Sequence, residues 1–397
     1  MRLKGGLPTI AVRDLAIQRR ETDLVVGTFG RGIYVLDDYS PLRALTPEAL
    51  AREAMLLPVK DPAVYVPALP LGLRGASFQG GAYYLAPNPP YGAVFTYALK
   101  DEIKTRKKTR QEREKELAEK GADAAYPSWE ELRAEEREEE PAIVLTIRDA
   151  EGAVVRRLSG PATAGVSRVA WDLRYPPPHP TSLEAPKDDN PFVDPPRGPL
   201  VVPGAFTVEL AKRVDGVTTP LAEPRRFTAQ AVGTPSLPVA DRGELLAFQR
   251  RVASLQRAAL GAAAAAEETA TRLQHLRKAI VDTPAAEPRL ETDARALEDR
   301  LRAIRVALEG DDVVRARREP TLPGIVERVD SIVQAQWTST SATTQTSRDA
   351  YTIAGEAFAV ELGKLRALHD ELRRLEETLE AAGAPWTPGR VPTWTPE

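Results

Sequence analysis

Near Pro238 the chain changes its hydrophobic period, and no single architecture can hold both sides of that change. Upstream, apolar residues come in short runs broken by turn residues, and the prolines, 35 in all, concentrate between Pro58 and Pro238. Proline is excluded from helix interiors and from central strands, so this density fits short strands with long connections. Downstream, proline thins out and apolar residues recur in steps of three and four, the spacing that lines one face of a helix. The sequence therefore predicts a multidomain chain, β first and α second.

The helical half divides at its stop signals. Leu245, Phe248, Val252, Leu255 and Ala259, followed by Ala266, Ala270, Leu273, Leu276 and Ile280, describe one long helix or two nearly coaxial ones meeting near Gly261, halted by Asp282-Thr283-Pro284. A second stripe runs Leu290, Ala294, Leu297, Leu301, Ile304 and Leu308 and ends at Gly310, a C-terminal glycine cap. Ile325, Val329, Ile332 and Val333 form a third, and Phe358, Leu362, Leu365, Leu368, Leu372, Leu375 and Leu379 a fourth that reaches Gly383. Amphipathic segments with short joints bury their stripes most economically as an antiparallel helical bundle, here over 238–383. The remaining residues, 384–397, are a Pro-rich tail, either loose or docked by Trp386 and Trp394.

In the β half, runs at 94–99, 143–148, 154–158, 167–173, 205–210 and 226–232 read as strands. Their number and turn spacing point to an antiparallel β-sandwich of immunoglobulin or fibronectin type III kind over 56–237. Trp171, flanked by aliphatic residues, reads as a core plug. Residues 100–140 interrupt the strands with dense charge, basic at 104–110 and acidic at 135–140. Ser128-Trp129-Glu130-Glu131 has the form of a capping box, so this insert is expected to be a solvated helical excursion. Its basic run is offset by acidic residues close by, which argues against a nucleic-acid patch.

Residues 1–55 form a third region. Leu24, Val25 and Val26 precede a turn carrying Gly27, Gly30 and Gly32, and Ile33, Tyr34, Val35 and Leu36 follow it, which is the composition of a β-hairpin with glycines supplying the unusual backbone angles. A lone hairpin is marginal in water and needs neighbours. Residues 40–50 then look like a short capped helix serving as an exit linker.

Gly-Thr-Phe-Gly-Arg-Gly-Ile-Tyr-Val-Leu-Asp-Asp-Tyr-Ser-Pro-Leu-Arg at 27–43 resembles the closing blade of bacterial sortilin-like, BNR-repeat β-propeller proteins. Ala-Gly-Val-Ser-Arg-Val-Ala-Trp-Asp-Leu-Arg-Tyr-Pro at 164–176 and Pro-Gly-Ala-Phe-Thr-Val-Glu-Leu at 203–210 are similar to segments that follow that blade. The resemblance spans about 20–56 and 140–235 and implies that 1–55 is a propeller-blade remnant and exit linker. It implies an extracellular or periplasmic protein whose C-terminal region acts in binding or assembly, and it leaves the charged insert without a counterpart. The family is often labelled glycosyl hydrolase, so a fragment of a glycoside hydrolase with its active site in absent blades is the rival reading. A helical-bundle adaptor follows from the leucine stripes alone.

Composition narrows the chemistry. With a net charge of −3 there is no electrostatic footprint for nucleic acid, and without cysteine there is no thiolate nucleophile, disulfide or Cys-ligated metal. No signal-peptide pattern and no run of about 18 apolar residues is present. The three histidines, His179, His275 and His369, lie in a Pro-rich loop and on charged helix faces, where solvated side chains are expected. Among the carboxylates, Asp37-Asp38 follows the last propeller-like strand, where it could cap the next turn, and Asp311-Asp312 suits a helix N-cap. Asp188, Asp189 and Asp194 group hard oxygen ligands in one loop and are the calcium candidate, without the fixed spacing of a known calcium loop. No catalytic set and no cofactor fingerprint emerge. The partner, protein or carbohydrate, is unspecified, except that the edge of the blade-like hairpin must be covered by the sandwich, by missing blades or by a second chain.

Overall fold

The computed structural model describes residues 6, 7, 9–68, 86–183, 195–233 and 237–396. The protein is mixed β plus α and divides into two compact units, residues 1–175 with 200–233, and residues 176–199 with 234–397.

The first unit contains three sheets. Its opening sheet has the order β1-β2-β3, all antiparallel, from β1 (Val12–Gln18), β2 (Asp23–Thr28) and β3 (Ile33–Leu36). The glycine-rich turn is confirmed in part. Gly30 and Gly32 adopt φ of 75° and 81°, and the Thr28 hydroxyl donates to the Gly32 carbonyl at 2.7 Å. Gly27, in contrast, is an ordinary strand residue paired with Ile33. The exit linker is two elements, a 3-10 turn at Ser40–Ala44 and a separate helix α1 (Pro47–Leu50), whose Thr46 side chain accepts from the Ala49 N–H.

A second sheet, β4-β6-β9, is built from β4 (Ala54–Leu56), β6 (Ala93–Leu99) and β9 (Gly165–Trp171). The third orders β5 (Ala63–Val64), β12 (Arg225–Ala231), β10 (Gly204–Val214), β7 (Ala142–Arg148) and β8 (Val154–Gly160), with β11 (Val217–Pro220) also paired to β10. Strict alternation in β7 buries Ile143, Leu145 and Ile147 on one face. These residues join Phe95 and Tyr97 of β6, Trp171 of β9, and Phe206, Val208 and Leu210 of β10 in one hydrophobic core. At its centre Trp171 meets Phe206 and Phe227 edge to face and donates its indole N–H to the Arg174 carbonyl at 2.9 Å.

Between β6 and β7 the insert forms two helices, α2 (Arg106–Glu119) and α3 (Trp129–Arg137), capped by Thr105 and by the Ser128–Glu131 capping box. Neither helix has a buried residue. The pair is joined by Arg110, which donates to both Glu135 oxygens at 2.6 and 2.9 Å and to Glu114 at 2.8 Å. Hydrogen bonds from Arg110 hold the Glu135 carboxyl below its ordinary value, and the Ser128 backbone N–H does the same for Glu131. A carboxylate whose pKa is depressed by folding contributes stability above its ordinary pKa, and that contribution disappears as pH falls through the depressed value. The helical hairpin should therefore loosen in acid below the ordinary 4.5 of glutamate while the sheet core persists. Methyl NMR signals of Leu117 and Leu132, both half-buried, would report it, and Glu135→Gln should show the loosened signals already at neutral pH.

The second unit is helical: α4 (Arg242–Asp282), α5 (Pro288–Glu309), α6 (Asp312–Arg315), α7 (Ile325–Trp337) and α8 (Gln345–Ala381). Helix α4 is a single 41-residue helix that passes through Gly261. One exposed glycine costs only about 1 kcal/mol of helix propensity, and buried Ala259 and Ala262 anchor the backbone on either side. Phe248, Leu273, Leu297, Leu301, Ile332, Leu368 and Leu372 belong to one hydrophobic core shared by α4, α5, α7 and α8. Polar groups also enter it: Gln249 donates to the Gln336 carbonyl at 3.1 Å, Gln256 to Asp330 at 3.1 Å, and Arg272 donates to both carboxylate oxygens of Glu376.

The C-terminal tail is docked, but not by its tryptophans. Arg390 is buried, bonding back to the Pro385 carbonyl and to the Thr387 hydroxyl and pairing with Glu380 at 3.1 Å, whereas Trp386 and Trp394 stay exposed. The loop fills itself with the arginine stem because that side chain can bury methylenes and satisfy carbonyls together.

Candidate functional site

The β1-β2-β3 sheet of the first unit has exposed apolar residues on both of its faces. Register places Leu15, Val26 and Tyr34 in one row and Ile17, Leu24 and Leu36 in the next on the same face, with Ala16, Val25 and Val35 behind them. Of these only Val26 is buried. Leu15 and Ile17 are 60% and 56% exposed on one face, and Ile33 and Val35 are 73% and 53% exposed on the other. Every residue of β1 is exposed, and among the described residues β1 and β3 each have one edge without a strand neighbour. β1 is not among the strands that the sequence predicts, because its alternation is confined to two apolar residues. The apolar pair Leu15 and Ile17 between Arg13 and Arg19 was the available signal.

The exit end of this sheet is clasped. Arg168 on β9 donates to the carbonyls of Asp37 and Asp38 at 2.8 and 2.6 Å. The Asp38 N–H reaches Asp23 at 2.9 Å, and Lys60 pairs with Glu21 at 2.5 Å. Asp38 caps the following turn, as its position suggested, by accepting from the Ser40 N–H and hydroxyl. Thr22 and Asp38 both lie at positive φ, 63° and 37°, a conformation costly for residues other than glycine that the surrounding bonds hold in place. Burial, reinforced by the nearby Asp23 charge, raises the Asp37 carboxyl above its ordinary value. These interactions fix the sheet at one end and leave its apolar rows open.

His179 and His275 are exposed as expected, whereas His369 is half-buried, with its ring nitrogen 2.7 Å from the hydroxyl of buried Thr269. That corrects the solvated reading of His369: the residue sits where α8 packs on α4, a pairing invisible in the periodicity of α8 alone. Asp311 caps α6 through the N–H groups of Val313 and Val314. Asp188, Asp189 and Asp194, the calcium candidate, lie outside the described residues. Among the described residues no three His, Asp or Glu side chains converge as metal ligands, and no helix is long and apolar enough to cross a membrane.

What this geometry can do is bind. An open apolar sheet with free edges can be covered by a packed sheet or extended by a strand. Comparison with family models, curated proteins and solved structures finds no match to this chain.

Proposed function

We propose that the chain is the non-catalytic, C-terminal binding and assembly portion of a secreted or periplasmic sortilin-like β-propeller protein. In this reading β1-β2-β3 is a blade remnant. The two sheets that enclose Trp171 are an immunoglobulin- or fibronectin-like sandwich, and the helical unit is an antiparallel bundle that serves assembly. The observation that carries the reading is the uncovered sheet: apolar rows open on both faces suit a blade that lies between neighbours, since isolated apolar strands of this kind are prone to pair or aggregate.

Genomic sequence upstream of Met1 tests it. Further blade-like repeats and an export signal are expected in frame, and an in-frame stop immediately before Met1 would overturn the reading. A screen of the purified chain against chromogenic glycosides should show no turnover. Reproducible hydrolysis lost on heat denaturation would instead place a glycosidase within these residues.

A further inference from the structure

Helix α3 has two unlike faces. One faces α2 through half-buried Leu132 and the Arg110-bound Glu135. Trp129, Glu130, Arg133, Glu136 and Arg137 lie away from that seam, and Tyr126 stands just ahead of the helix. Tyr126 and Trp129 are 79% and 71% exposed, their ring centroids 6.5 Å apart and their planes at 69°, so the two rings form an angled shelf. On the same helix Arg133 and Glu136 follow Trp129 by about one and two turns, and with Glu130 and Arg137 they line an open concavity.

Ion pairs neutralise part of the insert's charge. Lys104, Arg106, Lys108 and Arg110 are bound to Glu112, Asp215, Glu102 and Glu135. Glu130, Arg133, Glu136 and Arg137 form no ion pair among the described residues, although their alternating signs and spacing would permit several. Only Arg137 has a side-chain hydrogen bond among them, to the Arg133 carbonyl at 3.0 Å. Two carboxylates and two guanidinium groups thus cancel in net charge yet retain most of their donors and acceptors beside an exposed indole.

We propose that this face binds a neutral oligosaccharide. A pyranose presents an apolar C–H face that stacks on an aromatic ring and equatorial hydroxyls that each donate and accept. Trp129 supplies the platform, Tyr126 closes one side, and the carboxylates and guanidiniums receive the hydroxyls. The eight-residue rise from Trp129 to Arg137 is about 12 Å, the length of two or three sugar units in a row. Zero net charge at the face disfavours nucleic acid and anionic lipid headgroups, which need a basic excess. This site is separate from the β1-β2-β3 sheet, and its test is independent of any upstream blades.

Isothermal titration of the full chain with cellohexaose, xylohexaose, mannohexaose, maltohexaose and chitohexaose is the experiment. At least one should bind at millimolar concentration, with little dependence on sodium chloride. Trp129→Ala should weaken that binding about tenfold or more and Arg133→Ala to a smaller degree, while Trp394→Ala leaves it unchanged. Circular dichroism of the variants should match the parent, because the replaced side chains are exposed, and Trp129→Phe should retain part of the affinity. Binding of none of the five sugars, or binding that survives Trp129→Ala, overturns the proposal. So does Trp129-dependent binding to phosphatidylcholine vesicles in the absence of sugar binding.

Discussion

Trp171→Ala is expected to destabilise the sheet-containing unit by about 3–5 kcal/mol, the range for removing a fully buried aromatic side chain. Trp171 is completely buried, and its ring is the common neighbour of Phe206 and Phe227, which stack on each other at 5.8 Å. Truncation would remove the transfer free energy of the indole and leave a cavity those rings cannot fill without losing their own geometry. The Arg174 carbonyl would also lose its indole donor. Gly92 limits relaxation from the other side: it sits at φ 102° against the Trp171 backbone, so close that a Cβ there would overlap the Trp171 carbonyl oxygen. Urea unfolding followed by NMR signals from both units should show the transition of the sheet unit moved to lower denaturant and that of the helical unit unmoved. An unchanged melting temperature in the purified variant would refute the role of Trp171 as core plug.

Glu376→Gln is expected to cost the helical unit about 3 kcal/mol. Arg272 on α4 and Glu376 on α8 form a two-oxygen pair at 2.6 and 2.8 Å, with the glutamate side chain only 6% exposed. Removing one member of a largely buried pair leaves the other charge desolvated without compensation, which is typically worth about 3–5 kcal/mol. The pair as a whole contributes far less, because its attraction is offset by the desolvation of both ions. The double replacement Arg272→Met with Glu376→Leu should therefore recover most of the stability lost in the single variant. Gly389 of the tail lies against the Arg272 guanidinium, so the single variant should also loosen residues 384–396, seen as faster amide exchange there. Equal, additive losses in a double-mutant cycle would show that the two side chains do not act as a pair.

Much of this architecture could be read from residue order. Capping signals were reliable: Ser128 with Glu131, Asp311, and Gly310 at the end of α5 all do locally what their residue types favour. The helical stripes named most of the buried leucines and isoleucines because burial on one face repeats every three to four positions, but Leu245, Leu255, Ala270 and Leu362 are only half-buried and buried Gln249, Gln256 and Trp337 lay outside the stripes. Misreadings arose where a residue answers to something distant in the chain. Gly27 looked like a turn glycine and is a paired strand residue. The tail reads in sequence as either loose or docked by Trp386 and Trp394, yet the buried residue there is Arg390, because one carbonyl, a hydroxyl and Glu380 meet its guanidinium at one place. For the candidate site, the turn at Gly30 and Gly32 was visible, but β1 and the uncovered rows of Leu15 and Ile17 were not.

Local backbone preferences and hydrophobic period, both encoded within a few residues, were enough to settle that β structure precedes α structure in this chain and where most helices start and stop. Only folding in three dimensions decided which charged side chains of the insert neutralise one another and left others, among them Glu130, Arg133, Glu136 and Arg137 on the helix that carries Trp129, without an ion pair among the described residues. The reason is physical: a side chain's type sets what it can bond to, but the availability of those bonds depends on which neighbours the packed chain brings within a few ångströms.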